Sequence, residues 1–193
     1  VFDGKKNTVL PVGMRDPVKK DYDGPMLHIV RHYRPDIVHL FLSKECTQFH
    51  RKRDLYGFFI RNVVPGCQIV AHETDITEVH DFDLFTERIY PILADIFNEY
   101  PDCELLANVS SGTPQMQAAL CILIMRSPFP IKPIQVTTPE IASNMQPDIP
   151  DMQKALDNLI DDPTHGLNPK NRCRELQISS HRKAFLAERA EAF

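Results

Sequence analysis

Residues 105–120 read LLANVSSGTPQMQAAL, and this stretch decides what fold the chain is expected to adopt. An apolar run ends at Asn108, a turn of small hydroxyl residues follows, and an apolar run of helical character continues to Met125. This order predicts a strand, a turn and a helix start, with Pro114 in the first helical turn, where proline is favoured. The backbone N–H groups there favour an anion such as phosphate. An ordinary capped helix after a strand explains the same pattern, so the residues alone leave both interpretations open.

The composition of this turn suits a ligand that comes close to the backbone. Gly112 has no side chain to keep a ligand away. The hydroxyls of Ser110, Ser111 and Thr113 are able to donate hydrogen bonds to phosphate or ribose oxygens. The turn is therefore our first candidate for a binding site.

Strand and helix patterns alternate on both sides of the turn. Strand patterns cover residues 7–13, 36–42, 67–71, 104–109 and 131–138, and helical patterns cover residues 26–33, 44–62, 83–100 and 113–125. The alternation predicts an α/β fold with a doubly wound, mainly parallel sheet of Rossmann type. Pro133 places the last of these strands near a sheet edge.

Parallel sheets of this kind bind ligands at the carboxyl ends of their strands. Small or polar residues follow three of the predicted strands, at positions 13–16, 43–44 and 108–113. We therefore expect these three segments to converge on one crevice.

Composition narrows the possible functions. The chain has 193 residues, of which 42% are apolar and 25% charged, as is typical of a globular protein with a full core. Its net charge of −4 argues against a general nucleic-acid binder, although the first third is basic enough for one anionic ligand. No apolar run approaches the roughly 20 residues that span a bilayer, so no membrane partner is expected. The five cysteines form no Cys-x-x-Cys pair and indicate reduced thiols in the cytoplasm.

The pattern changes after Pro139. A loop, a short helix over residues 151–159 and a helix beginning at Arg174 are predicted there. We expect residues 1–145 to form one domain, and residues 146–193 to be linker helices leading to a further domain that this chain does not contain.

Several other motifs carry little weight. Neither a Walker A sequence nor a G-x-G-x-x-G turn occurs, and Ser111 lies outside any G-x-S-x-G sequence. His28 and His32 are four residues apart but lack the glutamate of the zincin pattern, so we expect surface histidines and no metal site. Arg174 and His181 have ribonuclease-like spacing, but that chemistry needs a surrounding helical bundle.

Several segments of the chain together resemble one protein family. They are VGMRDP at 12–17, DGPMLHIVRHYRP at 23–35, FLS at 41–43 and NVSSGTPQM at 108–116, with VTTP at 136–139 and Ser143-Asn144 also fitting. Over about residues 7–145 the chain resembles the CRISPR-associated Rossmann-fold (CARF) sensor domain of type III CRISPR ancillary ribonucleases of the Csm-six kind. Met14 and Arg15 depart from the small polar pair that the family often has there.

The resemblance implies a receptor for cyclic oligoadenylate, with a ring of six adenylates favoured over four. It implies a homodimer that holds the ring across its two-fold axis and activates a C-terminal HEPN ribonuclease domain, through which single-stranded RNA is the substrate. Some relatives also cleave the ring to a 2′,3′-cyclic phosphate without metal or cofactor. Thr113 and Ser111 are the candidate catalytic residues for that step.

The ligand-binding residues expected from the resemblance are Gly13, Met14, Arg15, Asp16, Ser43, Lys44, Asn108, Ser110, Ser111, Gly112, Thr113, Pro114, Gln115 and Met116. In this interpretation Arg15 or Lys44 neutralises phosphate charge, and Asn108 and Gln115 contact ribose or adenine edges. Two other functions stay open: a transcription regulator with a CARF sensor, and a Rossmann-class enzyme that acts on a phosphorylated small molecule.

Overall fold

The computed structural model describes residues 4–19, 22–138 and 171–178. Its strands are β1 (Lys6–Pro11), β2 (Val18–Lys19), β3 (Tyr22–Asp23), β4 (Ile37–Leu42), β5 (Gln68–Glu73), β6 (Glu104–Asn108), β7 (Ile131–Val136) and β8 (Cys173–Glu175). Its helices are α1 (Pro25–Tyr33), α2 (Lys44–Arg53), α3 (Leu55–Val63), α4 (Phe82–Glu99) and α5 (Pro114–Arg126). No helix in these ranges is long and apolar enough to cross a membrane.

The main sheet has the strand order β5-β4-β1-β6-β7-β8. All neighbouring strands are parallel except β8, which runs antiparallel to β7. The predicted Rossmann-like α/β fold is therefore confirmed. From β1 the chain adds β4 and then β5 on one side of the sheet, and it then crosses to add β6 on the other side of β1. This reversal creates a crevice at the carboxyl end of β1, where such folds bind ligands.

The central strands β1, β4 and β6 are buried on both faces, which accounts for their nearly continuous apolar sequences. Leu10 and Leu40 point into a core formed with α1 and α3. Val9 and Phe41 point to the opposite face and pack with α4 and α5. Phe41 meets Phe85 of α4 edge-on, with ring centroids 5.1 Å apart. The two cores fix the strands, and with them the loops at their carboxyl ends.

Two local predictions were incomplete. Residues 44–62 form two helices, not one, because Asp54 adopts a left-handed conformation with φ 45°. Its backbone N–H donates to the His50 carbonyl at 2.7 Å and so ends α2, while its carbonyl accepts from the Phe58 N–H and begins α3. No glycine or proline marks this break at Asp54. The short hairpin of β2 and β3 was also not predicted.

The helix predicted from Arg174 onward does not begin at that residue, and residues 179–193 of the prediction lie outside the described residues. Residues 173–175 form β8, which pairs with β7 and covers the edge that β7 would otherwise expose. The Leu176 N–H extends the contact by donating to the Pro133 carbonyl at 2.9 Å. Pro133 thus lies one strand in from the sheet edge. Ser143, Asn144, His181 and the helix predicted over residues 151–159 lie outside the described residues.

Candidate functional site

A cavity of about 490 Å³ opens at the carboxyl ends of β1, β4, β6 and β7. Its lining includes Gly13, Met14, Arg15, Ser43, Ser110, Ser111, Gly112, Thr113, Pro114 and Met116, all of them predicted from the sequence. It also includes Val12, Glu45, Cys46, Val79, Val109, Gln117, Gln135 and Val136, which sequence reasoning missed. Four predicted residues are not part of this lining and lie beside or behind it. They are Asp16, Lys44, Asn108 and Gln115. The three segments expected to converge do meet at one site.

The loops after β1 and β6 touch each other backbone to backbone. A Cβ atom added to Gly13 would lie only 2.6 Å from the backbone nitrogen of Gly112. Gly112 itself has φ +78°, a conformation that favours glycine. The two glycines therefore allow a contact that side chains would prevent.

Asp16 lies behind the cavity wall and joins three segments. It is 6% exposed, and its carboxylate accepts the Gly13 N–H at 3.1 Å and the Met26 N–H at 2.9 Å. It also accepts a hydrogen bond from the Ser111 hydroxyl. Burial raises the pKa of Asp16 to about 6, although these hydrogen bonds act in the opposite direction. Its position indicates that it holds the loop after β1, the start of α1 and the turn together.

Asn108 organises the turn from within. It is 1% exposed, its Nδ2 donates to the Ser111 Oγ at 2.7 Å, and its Oδ1 accepts the Ser110 N–H at 2.9 Å. This is the side-chain-to-backbone contact by which asparagine stabilises turns. The Oγ of Ser110 in turn accepts the N–H of Val136 at 2.8 Å, which ties the turn to the end of β7.

Thr113 caps α5 and holds a neighbouring loop. Its Oγ1 accepts the Met116 N–H at 3.3 Å and donates to the Val79 carbonyl at 2.7 Å. Close by, the Nδ1 of His80 lies 3.4 Å from the Oε1 of Gln115. The loop between β5 and α4 is thereby fixed against the start of α5. Sequence reasoning missed this loop because no local pattern in residues 74–81 refers to the turn.

Ser43 plays the corresponding part for α2. It is 6% exposed, and its Oγ accepts the Cys46 N–H at 3.4 Å as the N-cap of the helix. The next residue, Lys44, donates its backbone N–H to the Ile76 carbonyl at 3.0 Å. Its side chain is exposed and lies outside the cavity lining, whereas that of Glu45 contributes to the lining.

Arg15 brings positive charge to the cavity, and Arg172 brings it to a smaller cavity that shares Arg15 and Ser110 with the first. Arg15 is exposed on the cavity wall. It also lines a smaller cavity of about 30 Å³ together with Ser110 and Arg172. The guanidinium of Arg172 donates to the carbonyls of Thr137 at 2.6 Å and Asp23 at 2.9 Å. Sequence reasoning missed Arg172 because the fold of a distant segment brings it here.

One of the two histidines of α1 differs from the prediction. His28 is completely buried, not on the surface. Its Nε2 accepts the backbone N–H of Arg172 at 2.9 Å, and its Nδ1 lies 3.5 Å from the carboxylate of Asp23. The ring centroid of His32 is 4.4 Å from that of His28. His28 therefore helps to hold residues 171–178 against the sheet.

Comparisons with known proteins give consistent results. Residues 66–173 match the family model of the Cas_Csm6 CARF domain. The CRISPR system endoribonuclease Csm6 of Enterococcus italicus is 34% identical over 182 residues, which cover 91% of this chain and 42% of that protein. The protein of the same name from Mycobacterium tuberculosis is 41% identical over 129 residues, covering 67% of this chain and 31% of that protein.

A solved structure is similar over nearly the whole chain. It is Enterococcus italicus Csm6 bound to cyclic hexa-2′-fluoro-hexa-dAMP, with a TM-score of 0.81 and 29% sequence identity. The similarity covers 98% of this chain and 46% of that one. The chain thus spans less than half the length of the relatives that it matches.

Proposed function

This chain belongs to the Csm6 CARF domain family, and from that membership we propose that it binds a cyclic oligoadenylate in the cavity at the carboxyl ends of β1, β4 and β6. The family resemblance inferred from the sequence is confirmed. A ring of six adenylates is the preferred ligand, because the similar structure from Enterococcus italicus holds a cyclic hexanucleotide analogue.

The observation that carries the proposal is the position of the turn at residues 110–113. It forms one wall of the cavity and leads directly into α5, whose N-cap is Thr113. A helix start presents unpaired N–H groups and partial positive charge, which favour a phosphate group. Arg15 on the neighbouring loop adds a full positive charge. A phosphodiester placed here would be held by backbone, hydroxyl and guanidinium groups at once.

We propose that two copies of the chain share one ring. The cavity of about 490 Å³ is in the range that suits a drug-sized ligand. A ring of six nucleotides is larger than such a ligand, so a second copy would supply contacts to the rest. A two-fold arrangement presents the same turn twice and matches the repeating phosphates of the ring.

Ring cleavage is a further part of the proposal. A ribose 2′-oxygen held in line attacks the adjacent phosphorus, the bond from phosphorus to the 5′-oxygen breaks, and the 2′-hydroxyl proton passes to the leaving oxygen through solvent. The product carries a 2′,3′-cyclic phosphate, and no metal or cofactor takes part. Positioning and stabilisation of the phosphate charge would supply most of the rate. Thr113 and Ser111 are the residues on which that positioning depends.

We also propose that, in a protein as long as these relatives, occupation of this site activates a HEPN endoribonuclease domain that cuts single-stranded RNA in type III CRISPR defence. The support for this part is the name of the relatives, CRISPR system endoribonuclease Csm6.

Titration calorimetry with cyclic hexaadenylate, cyclic tetraadenylate and linear hexaadenylate tests binding. We expect the hexameric ring to bind tightest and the linear form weakest. Binding of a mononucleotide or sugar phosphate but of neither ring would favour the small-molecule enzyme. Binding of duplex DNA without either ring would favour the transcription regulator.

Chromatography of the ring after long incubation tests cleavage. We expect slow formation of the cyclic phosphate product by the wild-type chain, and a loss of cleavage or affinity in Thr113→Ala. Thr86→Ala is the matched control, since Thr86 makes a comparable hydroxyl contact to the Phe82 carbonyl within α4. If Thr113→Ala retains both affinity and cleavage, this assignment is wrong.

A further inference from the structure

Four hydroxyl groups line the cavity, and their hydrogen bonds distinguish them. They belong to Ser43, Ser110, Ser111 and Thr113. A hydroxyl has one proton to donate and can accept through its oxygen. A backbone carbonyl only accepts and a backbone N–H only donates, so the partner of each hydroxyl reveals where its proton goes.

The protons of Ser111 and Thr113 are already in use. Ser111 is 3% exposed, accepts from the amide of Asn108 at 2.7 Å and donates to the carboxylate of Asp16. Thr113 donates to the Val79 carbonyl at 2.7 Å, because a carbonyl cannot be the donor. A ligand could take either proton only by breaking a contact that holds the site together.

The hydroxyls of Ser110 and Ser43 act as acceptors in their hydrogen bonds within the protein. The Oγ of Ser110 accepts the N–H of Val136 at 2.8 Å, so its proton is not used in that bond. The Oγ of Ser43 accepts the N–H of Cys46 at 3.4 Å, with the same consequence. Among residues 4–19, 22–138 and 171–178 neither hydroxyl has an acceptor, so each oxygen is anchored by a backbone N–H while its proton is available to the cavity.

The two available hydroxyls flank the central loop. Ser43 follows β4 and Ser110 follows β6, and these strands lie on either side of β1. A phosphodiester that rests on the loop after β1 would therefore find one hydroxyl donor on each side.

We infer that Ser43 and Ser110 donate hydrogen bonds to the phosphate oxygens of the ligand, and that Ser111 and Thr113 are positioning residues. The inference rests on the proposed binding of a cyclic oligoadenylate. Thr113 acts by holding the loop that contains Val79 against α5, and Ser111 acts by joining Asp16 to the turn.

A double-mutant cycle between protein and ligand tests this division. The protein variants are Ser110→Ala, Ser43→Gly, Ser111→Ala and Thr113→Val. Glycine is chosen at position 43 because it retains most of the stability of a helix N-cap. The ligands are cyclic hexaadenylate and its two phosphorothioate forms, each with one non-bridging oxygen of every phosphate replaced by sulfur, a weaker acceptor. Affinity is measured by calorimetry and folding by thermal unfolding without ligand.

We expect Ser110→Ala and Ser43→Gly to weaken binding of the natural ring about tenfold or more, as for a hydrogen bond to a charged group. The loss of affinity caused by either substitution should be smaller with one of the two phosphorothioate rings than with the natural ring. Ser111→Ala and Thr113→Val lower the unfolding temperature without ligand, and any loss of affinity is the same for all three rings. Thr113→Ser should keep the unfolding temperature and the affinity of the wild type, because serine retains the hydroxyl that valine lacks.

Two results would count against different claims. If the wild-type chain binds none of the rings, the proposed function itself is overturned. If the wild type binds but sulfur substitution couples to Ser111 or Thr113 and not to Ser110 and Ser43, the division of roles is overturned while the proposed function stands.

Discussion

Replacing Gly13 by alanine tests the contact between the loops after β1 and β6. The new Cβ atom would lie 2.6 Å from the nitrogen and 3.1 Å from the Cα of Gly112, both of them backbone atoms. Backbone cannot rotate out of the way as a side chain can. To reach an ordinary contact of about 3.4 Å the loops must separate by roughly 0.8 Å.

The cost follows from this displacement. Overpacking of a well-packed region typically costs about 1–3 kcal/mol of unfolding free energy. For a chain of this size each kcal/mol lowers the unfolding temperature by about 2–4 °C. The separation also moves Arg15 away from the turn at residues 110–113. A phosphate held by both loops would lose contacts, and we expect affinity for cyclic hexaadenylate to fall about tenfold or more, which corresponds to about 1.4 kcal/mol.

Gly66→Ala is the matched control. Gly66 lies between α3 and β5, with φ +87° and no atom within 4 Å of the added Cβ. Alanine there costs roughly 1–2 kcal/mol through the left-handed backbone alone. Both variants should therefore lose stability in thermal unfolding, and only Gly13→Ala should lose affinity in calorimetry. Wild-type affinity in Gly13→Ala would refute the argument that the loop contact shapes the binding site.

Burial holds the pKa of His39 at about 4. Acidification from pH 6.5 to 4 therefore protonates this residue only in the unfolded chain, which removes about 3 kcal/mol of stability. Denaturant titrations across this pH range should show that His39→Asn lacks this loss. Asp16 acts in the opposite direction, because with its pKa at about 6 the folded chain binds the extra proton and stability falls by about 3 kcal/mol as pH rises from 3.8 to 6. The effects of these two residues offset each other in the wild type. Asp16→Asn should therefore steepen the loss of stability on acidification, and a profile unchanged from that of the wild type would contradict both assignments. Arg172→Lys keeps the charge but loses the hydrogen bonds to the carbonyls of Thr137 and Asp23. Thermal unfolding should show that the variant loses about 1–2 kcal/mol of stability. Arg174→Lys, at an exposed position, should lose none.

The sheet and the turn were predictable because their determinants are local. Strand and helix periods, together with Gly112 and Pro114, mark the turn at the end of β6. The carboxyl-end rule for parallel sheets then predicted that this turn would meet the loops after β1 and β4, and the structure brings all three together.

The rest depends on distant contacts that no local pattern encodes. Asp16 was predicted as a ligand contact, and the local sequence did not indicate that its carboxylate also accepts the backbone N–H groups of Gly13 and Met26. The loop at Val79 reaches the site only through Thr113. Strand β8 is three residues long, and it forms because β7 offers an open edge, not because its own sequence favours a strand. The parts that the individual residues play toward a ligand stay predictions.

The pairing of β8 with β7 has a mechanical consequence. Ser110 in the wall of the cavity accepts the N–H of Val136, and the next residue, Thr137, donates its N–H to the carbonyl of Arg172 at 3.1 Å. Two hydrogen bonds on adjacent residues thus join the cavity wall to the segment at 171–178. A displacement of that segment would therefore also displace the turn, because the two hydrogen bonds lie on adjacent residues.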